Sequence, residues 1–166
     1  MLGRHLALLL LLTLALVPAA CGGDGAGPPT PQPAASVDGV RAEAERATGI
    51  TLAAAKAPPG ATAAGIAAVF ASGPDAQKGQ RLVVTVGIGE RPNAIDEQMK
   101  AELGRLAGVD VSATSAPSGW GTKVIRGQDS PVFLIYWAEA ATREDLDALD
   151  RSQDLKDAMI PFGFHE

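Results

Sequence analysis

Histidine, cysteine and aromatic residues are scarce in this chain. Among 166 residues there are one cysteine and two histidines, and aromatics make up 4%. His5 sits in the leading segment and His165 next to the last residue, where chain ends are generally frayed, so histidine triads and histidine zinc sites have nothing to draw on. A single cysteine cannot close an intramolecular disulfide. Cationic charge is also in short supply: 14 Lys and Arg face 19 Asp and Glu, a balance of −5. That excludes a basic domain for gripping phosphates, and no nucleic-acid partner is expected. No GxxxxGK[ST] loop and no GxSxG elbow occurs, and Pro92 stands where the third glycine of a dinucleotide loop beginning at Gly87-Ile88-Gly89 would be needed. No cofactor, no metal and no catalytic residue is assigned from these patterns.

What is present begins at the N-terminus. Arg4 and His5 precede a run from Leu6 to Val17 dominated by leucine and alanine, followed by Pro18, Ala19 and Ala20. This is the tripartite pattern of a signal peptide over residues 1–20. A helix of that apolar run is about 18 Å long, well short of the roughly 30 Å hydrocarbon core, which argues against a permanent transmembrane span.

Cys21 follows Ala19 and Ala20 directly. Over residues 1–21 the segment resembles the lipobox signal of bacterial lipoproteins, with Pro18 standing where that family usually has an aliphatic residue. The resemblance implies diacylglycerol on the Cys21 sulfur and cleavage between Ala20 and Cys21. It places the protein outside the cytoplasm, anchored to the cell membrane by palmitate-type acyl chains. The competing reading is ordinary signal cleavage, which leaves Cys21 a free thiol in an exposed tail.

From Gly22 to Ala35 the chain reads GGDGAGPPTPQPAA, which has no large apolar side chain. Such a segment is a tether spanning about 20–40 Å, the range from glycine-rich coil to extended polyproline geometry. The expected organisation is therefore a signal peptide over 1–20, a lipidated cysteine and tether over 21–36, and one domain over 37–166. Loss of the signal removes Arg4, leaving 13 basic residues against 19 acidic ones and a balance of −6. Attraction to anionic headgroups is then not what holds the domain at a membrane.

Within the domain, Val37, Val40, Ala44 and Ala47 recur at helical spacing between Ser36 and Gly49. A second helix is expected after Pro92, capped by Asn93 and carrying Ile95, Met99, Leu103 and Leu106 as one stripe. A third is expected from Thr142, with Asp145 completing a capping arrangement and Leu146 and Leu149 facing inward. Strand patterns cover 64–71, 82–88, 109–113, 122–126 and 132–138, and the continuous VFLIYWA of the last marks it as the covered spine. The expected fold is α+β, a single domain with a mainly antiparallel sheet of about five strands and helices packed chiefly on one face.

Two features carry candidate chemistry. Asp147, Asp150 and Asp154 fall at i, i+3 and i+7, a spacing that lines a helix face; without an EF-hand loop this reads as a solvated acidic face rather than a calcium site. Trp120, in the loop-like Ser118-Gly119-Trp120-Gly121, is the candidate binding residue, whereas Tyr136, Trp137, Phe162 and Phe164 read as core. The expected function is a lipid-anchored envelope lipoprotein whose domain binds an envelope protein or a small-molecule ligand. The alternatives are an envelope hydrolase working through paired carboxylates such as Glu90 and Glu139, and a purely structural envelope protein.

Overall fold

The computed structural model describes residues 36–109, 120–139 and 147–166. The described residues belong to one compact unit. Cys21, Ala20 and the rest of residues 1–35 lie outside the described residues.

The first helix, α1 (Val37–Thr48), buries Val40 and Ala44 as its spacing demands. It stops at Gly49, whose φ of 70° lets its N–H reach the Glu45 carbonyl at 2.7 Å, a turn that favours glycine. Five strands follow: β1 (Ala53–Ala54), β2 (Ile66–Ala71), β3 (Leu82–Ile88), β4 (Trp120–Arg126) and β5 (Val132–Glu139). They form one antiparallel sheet in the order β1-β2-β3-β5-β4. The α+β class and the five-stranded antiparallel sheet are as the patterns required.

Alternation along β3 divides the core in two. Leu82, Val84 and Val86 share one face with Val132, Leu134 and Tyr136 of β5, under α1 and the last helix, α3 (Gln153–Met159). Val83 shares the opposite face with Phe133, Ile135 and Trp137, under α2 (Glu97–Leu106). Of the three described helices, two thus lie on one face and one on the other. Every residue of β5 is buried, and β3 and β4 flank it on either side, which is why both its faces and both its edges are apolar or paired.

Local chemistry shifts several boundaries. Pro92–Ala94 is a short 3-10 turn, and α2 is capped by Asp96, whose carboxylate accepts from the Met99 N–H at 2.8 Å, rather than by Asn93. The last described helix begins at Gln153, where the Ser152 hydroxyl caps it by accepting from the Leu155 N–H at 3.2 Å. Leu149 is buried all the same, in a turn. Thr142, Asp145 and Leu146 lie outside the described residues, as do residues 110–113 of the strand expected over 109–113. Val109 itself is buried on the α2 side.

Candidate functional site

Among the described residues, β4 pairs only with β5, and none of them pairs with its outer edge. Its α2-side face is open too. Thr122 lies opposite Trp137 and Val124 opposite Ile135, yet Val124 is 50% exposed. Between this strip and the start of α2 runs a cleft of about 270 Å³, lined by Pro92, Ile95, Lys100, Thr122, Val124 and Trp137. An apolar floor beside a strand edge that no described residue pairs suits an extended segment that adds to the sheet and drops alternate side chains into the cleft.

Trp120 opens β4 opposite Glu139, with Gly121 opposite Ala138, so the expected loop is a strand at this point. Pairing with β5 continues two residues further than the Thr122 start read from the sequence. The expected binding residue therefore begins the edge strand.

On the α1 side of the same strand Lys123 lies opposite Tyr136. Its ammonium pairs with Asp147 and stands 3.4 Å from Asp150. The Asp147 hydrogen bond, helped by Asp150, raises the Lys123 pKa against a partial desolvation cost. Burial, with the Asp150 and Asp147 carboxylates adding, holds the Tyr136 phenol well above its ordinary range. A charged lysine and a neutral tyrosine held this way are neither nucleophile nor base near neutral pH. The acidic series does not form one helix face: Asp147 and Asp150 sit in a turn on Lys123, while Asp154 begins α3 and pairs with Arg46. Among the described residues no cluster of His, Cys, Asp and Glu could hold a metal ion.

Glu139 ends β5 only 6% exposed, and its carboxylate lies 3.5 Å from the Arg81 guanidinium. It borders a cavity of about 200 Å³ together with Thr48, Ile50, Leu82 and Leu149. Glu90 is exposed beyond the other end of β3. Since Leu82 pairs with Ala138, the six-residue rise of β3 from Leu82 to Ile88 separates Glu90, just past its end, from that level, on the order of 20 Å. Two carboxylates working on one glycosidic bond need roughly 5 to 9.5 Å, so this pair does not form a hydrolytic site.

Tyr136 and Trp137 enter opposite cores, Phe164 is buried, and Phe162 packs partly buried against the α1-side core. Among the described residues no helix is long and apolar enough to cross a membrane. No protein-family model, no curated protein and no solved structure matches this chain.

Proposed function

We propose that the protein is a lipid-anchored domain on the outer side of the cytoplasmic membrane that binds an extended segment of an envelope protein along β4. The observation that carries the anchor is Cys21 placed directly after Ala19 and Ala20 at the end of a signal-type apolar run. Two acyl chains on one cysteine hold a protein stably where a single chain holds it only marginally. The residues that build the described core start at Val37, beyond the glycine- and proline-rich segment, which supports reading 21–36 as the lipidated cysteine and tether. The binding half of the reading is supported by the edge of β4 that no described residue pairs and the cleft beside it.

The test is metabolic labelling with palmitate and membrane fractionation in a bacterial host. The full chain should incorporate label and sediment with membranes, and Cys21→Ala should lose the label and become soluble. A Cys21→Ala variant that stays as firmly membrane-bound as the unaltered chain would overturn the anchor.

A further inference from the structure

We infer that the end of the domain where α1 begins faces the bilayer and seats Ile88 and Ile160 in the lipid interface; this rests on the anchor at Cys21 proposed above. Among the described residues the exposed large apolar side chains are Val124, in the β4 cleft, and Ile88 and Ile160, which are 44% and 54% exposed. Ile88 and Ile160 belong to one end of the molecule. Ile88 closes β3 opposite Val132, and the next residue, Gly89, donates its N–H to the Pro131 carbonyl. Ser130, beside Pro131, places its hydroxyl 3.0 Å from the Gly163 carbonyl, and Gly163 ends the 3-10 turn that starts at Ile160. Pro161 in that turn is exposed and Phe162 half-buried, so the apolar surface continues beyond Ile160.

The tether joins at this same end. Ala47, Thr48 and Ile50, at the finish of α1, lie beside Leu82 and Ala138, at the far ends of β3 and β5. Arg46 pairs with Asp154 in the first turn of α3, so the finish of α1 meets the start of α3, and α3 leads from there to Ile160. A helix of 12 residues covers about 18 Å, close to the length of a seven-residue strand. Ser36 therefore stands toward the Ile88 and Ile160 end.

A tether of about 20–40 Å keeps that end at high effective concentration beside the bilayer, so a modest apolar contact suffices to orient the domain. Headgroup charge does not supply the contact, since the mature chain carries −6. Lys156, Asp157, His165 and Glu166 border Ile160 and confine the patch to interfacial depth. Such an orientation directs the opposite end of the sheet, with the start of β4, away from the lipid.

The experiment uses the lipidated mature chain in phosphatidylcholine vesicles, with an environment-sensitive fluorophore on Ile160→Cys, on Ile88→Cys, or on Gln77→Cys in the exposed β2–β3 turn at the other end. Lipidation consumes the Cys21 thiol, so each probe is unique. Probes at 160 and 88 should shift to the blue and be quenched at least about twofold by a nitroxide on shallow acyl carbons, as for groups about 5–10 Å into the boundary, while the probe at 77 stays water-like. Water-like emission at 160 and 88 on vesicle-bound, lipidated protein overturns the inference and leaves the anchor standing. A blue shift that lipid nitroxide does not quench means a protein surface covers the patch, and overturns it equally. A soluble product whose Cys21 mass is unmodified overturns the anchor reading, and this inference with it.

Discussion

Phe133 lays its ring directly over Gly87, in the space a β-carbon on that glycine would occupy. Glycine inside a strand ordinarily weakens it, by entropy and by the missing side chain. Here the missing side chain is what admits the aromatic ring, which fills the α2-side core beside Ile66. Gly87→Ala should therefore destabilise the domain by about 1–3 kcal/mol, the usual cost of overpacking, although alanine is the better strand residue. Urea denaturation measures this. Combining it with Phe133→Leu should cost less than the two single changes together, by about 0.5–3 kcal/mol, because the smaller side chain vacates the space the new methyl needs. Strict additivity would show that the ring and the glycine are not coupled.

Tyr136 is the chain's only tyrosine, so its ionisation is read directly from phenolate absorbance. Burial first, and then the Asp150 and Asp147 carboxylates, raise its pKa in the fold above the ordinary value of 10.0. The unfolded chain ionises at the ordinary value, so this contribution is complete below about pH 10 and is lost as pH rises beyond it. Lys123, raised above 10.5 by Asp147 and Asp150, works in the same direction: its contribution is intact below that value and lost above it. The phenolate signal should therefore appear together with loss of circular dichroism in one alkaline transition. A separate phenolate step near the ordinary value in folded protein would show that Tyr136 is solvated. Lys123→Met should move the alkaline transition to lower pH, because Asp147 and Asp150 then face Tyr136 without the Lys123 ammonium between them.

Much of this sheet is legible residue by residue. The alternation of β3 and the continuous apolar run of β5 show where the two strands lie, and Ser36 and Gly49 bracket α1. β1 is invisible because Ala53 and Ala54 have no period; the segment becomes a strand only by pairing with Phe70 and Ala71. Asp96 takes the cap from Asn93 because Pro92, Asn93 and Ala94 close into a separate turn. The edge position of β4 is a property of strand order, which local patterns do not encode, so the open cleft beside Val124 could not be read from the chain. The burial of Glu139 follows from a register that brings Arg81 beside it from 58 residues away, again outside any local window.

Ser130 is 1% exposed and ties three backbone groups together: its oxygen accepts from the Val132 N–H at 3.2 Å and lies 3.1 Å from the Val132 carbonyl and 3.0 Å from the Gly163 carbonyl. Ser130→Ala leaves buried backbone groups without that partner, at a cost of about 1–3 kcal/mol. The loss should be felt first where the C-terminal turn meets the sheet. Amide hydrogen exchange should accelerate at Gly163 and Phe164 more than at the β3 and β5 amides. Uniform acceleration would mean that the hydroxyl supports the fold as a whole and does not specifically pin the turn.

Val124 is the place where binding along β4 is read most directly, because it is half-exposed and Val124→Lys disturbs no buried contact. The substitution should change stability by no more than about 0.5 kcal/mol, as for exposed sites generally. It does change what can approach: a lysine at an edge is among the commonest devices by which proteins block strand addition. A photo-activated cross-linker at position 124, in the full chain in living cells, should yield a discrete adduct. The same group at exposed Gln153, in the first turn of α3, should not. With the cross-linker at 124 retained, Thr122→Lys two residues along the same face should suppress the adduct, since both side chains border the one cleft. Equal adducts at 124 and 153, or an adduct indifferent to Thr122→Lys, would remove the strand edge as the binding surface while leaving the anchor at Cys21 untouched.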